Sequence, residues 1–554
     1  MSQRTYAERD AVDFVIVGSG AAGGVLAKEL STAGFDVVVL EQGPWQTPAQ
    51  FAHDELAVER QGVTLNTAVE PVQTFRTSAE DRAEVRPTNT PDFRGLLYRR
   101  GVGGSSVHFT ANYWRFRPID FNERSVYGAI AGSGFADWPL TYEELEPYYT
   151  KVDREIGVSG APGPFDPPRS HPYPMPPLPV KSSGVLLERA AAALGLHAQP
   201  APMAIASRPY DGRPACMACG RCMYYGCEFG AKSSTLVTTI PRAQATGRCE
   251  VRTDATATRV ETDARGRATG VLYRDRDGRE GHRAARAVIL AANGAETARL
   301  LLLSTSPRFP YGLANSSGKV GRYLMFNGGS ATGGRFEHPL NEYKGHVVSR
   351  IIHDFYDADP KRGFYGGGGI DARLNSGPLG FALTGLPDDA PSWGRGYGRA
   401  VHDYYAHTVR FAGHTTSLPV ETNSVSLDPE HVDAWGRPAL RLTYLDHPDD
   451  MKTKQWFQDR THELMEAAGA AHVWREPVRA ATGGVHLLGT ARMGNDPRES
   501  VVDRFHRAHD VPNLFVCDGS SLVTSGRGQP TMTIQALAFR AAEHIARFAR
   551  AHEI

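Results

Sequence analysis

The sequence predicts an α/β fold that opens with a dinucleotide-binding unit. Three observations predict it: an apolar run ends in a glycine-rich turn, an amphipathic helix follows, and a second apolar run closes on an acid. Asp13-Phe14-Val15-Ile16-Val17 has the composition of a strand buried on both faces. It leads directly into Gly18-Ser19-Gly20-Ala21-Ala22-Gly23. Gly18 permits the tight turn, Gly20 lets the backbone approach a pyrophosphate at the helix N-terminus, and Gly23 allows close helix–strand packing. The helix AAGGVLAKELSTAG follows, then the strand DVVVLE, whose last residue, Glu41, stands where an acid can bond ribose hydroxyls.

Further along, the chain has no internal repeat. The stretch from Gly157 to Val180 is proline-rich and excludes a helix or a central strand, so it predicts an extended surface connection. Residues 181–200 space Leu186, Leu187, Ala190, Ala191 and Leu194 as a helix does. Residues 250–290 alternate short β-like runs with charged turns, and 326–475 mixes strands and loops. Thr531 to Arg550 is an amphipathic helix.

With 61 basic and 61 acidic residues the chain is formally neutral, which gives no electrostatic case for nucleic acid or an anionic membrane surface. It has no apolar run of transmembrane length and no charged-then-apolar leader at its start. Six cysteines do not make a disulfide scaffold, yet four of them crowd into Cys216-x2-Cys219-x2-Cys222-x4-Cys227. C-x2-C-x2-C is the local geometry by which one loop offers three thiolates to an iron–sulfur cluster. A zinc site more often shows two separated pairs. Cys249 and Cys517 stand alone and read as buried small residues.

A second glycine-rich loop, Arg100-Gly101-Val102-Gly103-Gly104-Ser105-Ser106-Val107-His108, goes beyond a nicotinamide fingerprint. Near the end, NLFVCDGS reads as a strand and turn, and Gly528-Gln529-Pro530-Thr531 opens the last helix, whose N-terminus suits an anionic flavin locus. These segments, with Asp137-Trp138-Pro139-Leu140, TYEELEPYY, AANGAET and GVHLLGTARMG, resemble the glucose–methanol–choline oxidoreductase family over nearly the whole chain. Within it the chain looks most like the FAD-binding large subunits of bacterial iron–sulfur sugar and gluconate dehydrogenases. The phrases RPYDGRP and ANSSGKVGRYL and the cysteine cluster carry that likeness.

The resemblance implies a Rossmann-like FAD-binding domain from residues 1–130, 235–325 and 476–554, a connecting segment with the cysteine loop over 131–234, and a sheet-and-helix substrate domain over 326–475. It implies FAD contacts at Gly18, Gly20, Ala21, Gly23, Glu41, Gly103, Gly104, Ser105, Asn112, Ala257, Asp518, Gly519, Pro530 and Thr531. His108 is implied to touch the flavin, and the family contains both covalent and noncovalent cases at this place. His486 is implied to be the catalytic base, a role that the imidazole pKa suits. The family's second position, usually His or Asn, is Gln529 here, which can hydrogen-bond a substrate but cannot act as a base. Trp138 reads as packing, and His506 and His509 as solvated residues of a charged turn.

The implied activity is FAD-dependent oxidation of a hydroxyl on a sugar, glycoside or sugar acid. Electrons then leave through a three-iron or four-iron cluster at Cys216, Cys219, Cys222 and Cys227 to a haem or quinone-linked acceptor. The rivals are an oxygen-using pyranose or alcohol oxidase and a non-catalytic flavin electron-transfer subunit. The implied partners are a small chaperone-like subunit and a haem-containing acceptor. The implied location is periplasmic, by co-export with a signal-bearing partner, with the cytoplasm as the alternative.

Overall fold

The computed structural model describes residues 4–8, 10–51, 53–56, 73–86, 95–374 and 377–554. Its first sheet grows from the predicted unit. The strand Val12–Val17 pairs in parallel with Val37–Leu40 on one side and Glu280–Leu290 on the other. Cys249–Arg252 and Leu514–Val516 extend this parallel sheet at its two sides. Phe14, Val15, Ile16, Val37 and Val38 have no exposed surface, as strands covered on both faces require. The helix Ala21–Thr32 packs on the strands and on the final helix, Thr531–Arg550. Thr256–Thr262 and Ala268–Arg274 form an antiparallel meander with the first half of Glu280–Leu290. The sheet therefore joins stretches of chain hundreds of residues apart.

A second sheet is wholly antiparallel. Its strands run in the order His472–Arg475, Gly328–Arg335, Thr408–Thr415, Gly368–Arg373, Arg350–Ile352, Ala198–Pro200. Its back packs on the helix Pro448–Ala467 through Ile370, Ala372, Val409, Phe411, Phe457 and Leu464. Its front turns toward the main cavity. A third sheet pairs Ser424–Val432 and Pro438–Thr443 with Gln73–Arg76 and Glu84–Arg86. That pairing crosses the boundary drawn from the sequence, because Gln73–Arg76 belongs to the expected FAD segment and Pro438–Thr443 to the expected substrate segment. The proline-rich stretch carries no helix, but Val158, Ser159 and Met175 are buried, so it is not wholly a surface connection. No helix among the described residues is long and apolar enough to cross a membrane.

One buried charge cluster fixes the approach to the site. Arg527 is fully buried, donates from Nε to the Tyr356 carbonyl at 2.8 Å, and pairs with Glu123 and with Asp120 at 3.4 Å. Tyr356 and Tyr365 donate their hydroxyls to Asp120 and Glu123, each at 2.7 Å. The cluster holds the backbone immediately before Gln529. Removing one partner of a buried ion pair leaves the other uncompensated. Arg527→Met is therefore expected to lower unfolding stability by roughly 3–5 kcal/mol in denaturant titration; a loss below about 1 kcal/mol contradicts this role.

Candidate active site

A cavity of about 430 Å³ opens between the first and second sheets. The first glycine turn and the second glycine-rich loop meet along it. A Cβ on Gly104 would lie 2.8 Å from the Gly20 Cα, so the two backbones approach as only glycines allow. Glu41 ties these loops together. Its Oε2 accepts from the Ser19 amide at 3.1 Å and hydroxyl at 2.6 Å, and its Oε1 accepts from the amides of Gly43 at 3.0 Å and Gly101 at 3.2 Å. Burial raises its pKa, and these four bonds oppose the rise. The acid expected at a ribose thus also organises both cofactor loops.

The cavity is lined by Gly18, Gly20, Ala21, Glu41, Gly104, Ser105, His108, Asn112, Ala257, Asp518, Gly519, Pro530 and Thr531. Gly23 and Gly103 stand outside the lining. A Cβ on Gly23 would lie 1.9 Å from the Gly18 carbonyl oxygen, and the Gly103 amide donates to Ser19 Oγ at 3.1 Å. Both act through close packing. Asp518 accepts from the Asn293 amide and Thr297 hydroxyl on one oxygen and from Ser520 on the other. The N-termini of the helices Ala21–Thr32 and Thr531–Arg550 both border the cavity, which suits the phosphates and polar edge of a dinucleotide.

His108 is buried, and its Nδ1 donates to the Tyr224 carbonyl at 3.1 Å. Among the described residues its Nε2 is buried without a partner, as is Asn112 Oδ1. Burial first, then Arg99 and Lys232, push the His108 pKa down to about 2, so the ring is neutral. Two orphaned polar atoms beside the cradle that both glycine loops build fit a bound flavin.

His486 lines the cavity with Gln529. Its Nδ1 lies 3.0 Å from Asn327 Oδ1. The Asn327 amide nitrogen faces the carbonyls of Ser525 at 3.1 Å, Gly526 at 3.3 Å and Thr415 at 3.5 Å. Its oxygen is therefore the atom offered to the imidazole, and Nδ1 must carry the proton. Nε2 is left as the proton acceptor. Burial, with His414 adding, lowers the His486 pKa to about 4. Gln529 makes no side-chain hydrogen bond within the protein among the described residues, which leaves its amide available to a ligand.

Several sequence readings change. His506 is not solvated: it is fully buried, donates from Nδ1 to the Val516 carbonyl at 3.0 Å, and sits on the strand-to-turn connection. His509 is half-buried against Ser500 Oγ at 2.9 Å. Trp138 packs against Phe116 and Phe121 and donates to Thr524 at 2.9 Å, away from the cavity. Cys249 and Cys517 are buried, as read. Asn327, Asp371, Arg373 and His414 were missed, because each sits in glycine-rich β sequence with no motif.

Cys216, Cys219, Cys222 and Cys227 line a second cavity of about 20 Å³, room for a single water. Among the described residues no three of His, Cys, Asp and Glu are placed together to hold a metal ion. As arranged, the four thiols do not fit an iron–sulfur cluster. The loop is nonetheless joined to the flavin loop: the Tyr224 amide donates to the His108 carbonyl at 2.9 Å, and Lys232 Nζ bridges the carbonyls of Phe109 at 3.0 Å and Tyr225 at 2.8 Å.

The family profiles described as GMC oxidoreductase match residues 12–325 and 419–538. The chain is 36% identical to a 2-methyl-1,2-propanediol dehydrogenase of Mycolicibacterium austroafricanum, covering 97% of this chain and 96% of that protein. It is 30% identical to the fructose dehydrogenase large subunit of Gluconobacter japonicus, covering 96% and 97%. It is 30% identical to the gluconate 2-dehydrogenase flavoprotein of Pantoea cypripedii, covering 96% and 93%. In fold it is similar to a formate oxidase from Aspergillus oryzae, with a TM-score of 0.68 at 15% identity over 99% of this chain and all of that one.

Neutral His486 accepts a proton only above its own pKa. The kcat/KM for reduction of the bound cofactor is therefore expected to rise with pH through a midpoint near 4 and to be flat above it. A midpoint at or above the ordinary histidine value of about 6.5 contradicts the half-buried, Asn327-held base.

Proposed function

We propose a function from one established premise: the chain belongs to the GMC oxidoreductase family and is an FAD-dependent oxidoreductase acting on CH–OH groups. On that premise it is a dehydrogenase of a polyhydroxylated substrate, a sugar, glycoside or sugar acid. The observation that carries this reading is His486, a neutral imidazole with Nδ1 capped by Asn327 and Nε2 open to the cavity.

The two glycine loops, Glu41, Asp518 and the start of the final helix would hold FAD, and His108 Nε2 would touch its ring, covalently or not. When bound, FAD supplies the acceptor for hydride from the substrate carbon. His486 Nε2 takes the hydroxyl proton, and Gln529 hydrogen-bonds and orients the same hydroxyl. An oxygen-using oxidase is a second reading, supported by 31% identity to a paromamine 6'-oxidase of Streptomyces fradiae over 96% of this chain. Rapid peroxide formation by the reduced protein would favour it.

Anaerobic bleaching of the flavin across a panel of sugars and polyols tests the reading. His486→Ala is expected to keep its FAD and lose reduction by on the order of 10²-fold or more. Near-normal reduction in this variant removes His486 as the base.

Electron exit to a haem or quinone-linked partner is part of the proposal. The names of two relatives as a large subunit and a flavoprotein support it. So does the position of the cysteine loop directly behind the His108 loop. The Cys spacing alone supports an iron–sulfur cluster there, and the loop must rearrange to bind it, as metal sites that fold on binding do. Iron and acid-labile sulfide are expected in the wild type and are expected to fall together in Cys222→Ser while FAD is retained. Wild-type protein with zinc and no iron contradicts this. Co-export to the periplasm with a partner is proposed on the same likeness.

A further inference from the structure

The deepest charge beside the cavity that proton transfer does not use is Asp371, which is fully buried. In the antiparallel pair of Gly368–Arg373 with Thr408–Thr415, Gly369 faces His414, Asp371 faces Ala412 and Arg373 faces Arg410. Side chains alternate across a strand, so Asp371, Arg373 and His414 share one face. Gly329, Ala331, Gly369 and Ala412 on this face are small, while Ile351 stands opposite Asp371 and Arg410, paired with Glu476, opposite Arg373. Gly369 has no side chain where a Cβ would meet Trp114 and His353 at 2.8 Å, and Trp114 fills that space edge-on to His414 at 5.6 Å. Of the three polar residues, Arg373 and His414 reach the cavity wall.

Asp371 fixes the atoms of that pair. Its Oδ1 accepts from Arg373 Nε at 2.6 Å. Its Oδ2 accepts from Arg373 Nη2, from His414 Nε2 at 2.9 Å and from Asn112 Nδ2 at 3.3 Å. His414 Nε2 faces both Asp371 Oδ2 at 2.9 Å and Arg373 Nη2 at 3.0 Å; Nη2 already donates to Asp371, and the carboxylate is the stronger partner for an N–H, so Nε2 is assigned the proton and Nδ1 is the acceptor left for a ligand. Arg373 Nη1 has no partner in the protein among the described residues, and so offers two donors. Asn112, Arg373 and His414 line the cavity, while Asp371 lies behind them. His414 is also next to the chemistry: a Cβ on Gly528, the residue before Gln529, would lie 2.7 Å from its Cβ.

A hydroxyl both donates and accepts, and it satisfies His414 Nδ1 and Arg373 Nη1 together. A carboxylate can accept from Arg373 but only repels the Nδ1 lone pair and the Asp371 charge behind it. The hydroxyl being oxidised is already assigned to His486 and Gln529. We infer that Arg373 and His414, positioned by Asp371, form a binding subsite for a second, neutral hydroxyl close to the one oxidised, so that the enzyme selects vicinal diols and polyols over simple alcohols. This rests on the reading of His486 as the base that takes the hydroxyl proton.

The test compares 2-methyl-1,2-propanediol with 2-methyl-1-propanol, which lacks the neighbouring hydroxyl, by kcat/KM for anaerobic flavin reduction in the FAD-loaded protein. The wild type is expected to prefer the diol by roughly tenfold or more, because a site built to bond a hydroxyl rejects the analogue without it. In His414→Ala that ratio is expected to fall to near one, chiefly through KM for the diol. Damage to the fold lowers both substrates together and leaves the ratio unchanged. If His414→Ala fails to retain FAD, Asp371→Asn and Arg373→Lys are read by the same ratio and are expected to lower it. A wild type with no preference, or variants that retain FAD and the wild-type ratio, overturns the subsite. A wild type that prefers a sugar acid to its neutral polyol overturns it as well. Failure of both alcohols and the whole sugar panel to bleach the wild-type flavin overturns the dehydrogenase reading itself, and the subsite with it.

Discussion

The hydrogen bond from His486 Nδ1 to Asn327 Oδ1 is the contact on which the chemistry of the cavity depends. An imidazole serves as a base only through an unprotonated nitrogen, and this bond decides which nitrogen that is. The fold reaches it through a chain of fixed groups. Glu123 and Asp120 hold Arg527, and Arg527 holds the backbone that includes Ser525 and Gly526. The carbonyls of these two residues take the Asn327 amide and turn its oxygen to His486. Burial then keeps the ring neutral. A charge cluster deep in the protein thus sets a tautomer at the cavity.

The cofactor side is organised by the same means. One carboxylate, Glu41, accepts two bonds from Ser19 in the first glycine turn, one from Gly101 in the second and one from nearby Gly43, and the glycines let the two turns touch. The substrate side repeats the device with Asp371, which fixes Asn112, Arg373 and His414. In each case a buried acid that ligands do not exhaust positions the groups that line the cavity. Buried acids of this kind persist only when their lone pairs are filled, and here they are.

Much of this was legible in the sequence, for physical reasons. Strand, turn and helix at the start follow from local apolar periodicity and from glycines, and both are visible within a short window. His486 and Gln529 were found through motif resemblance. Asn327 and His414 were not: Gly328–Arg335 is made almost wholly of small residues, and Thr408–Thr415 alternates but carries no motif on its cavity face of Arg410, Ala412 and His414. Their function comes from cross-strand register, which no local pattern encodes. His506 was misread because its charged neighbours suggest solvent, while its own backbone turns it under the strand Leu514–Val516. The cysteine spacing was plain, but spacing does not fix where four sulfurs point, and here they share a cavity with room for one water.

Neutron diffraction from crystals of the FAD-loaded protein at pH 7 locates the proton on His486 directly. The account predicts a deuteron on Nδ1, shared with Asn327 Oδ1, and none on Nε2. A deuteron on Nε2, alone or with one on Nδ1, contradicts it.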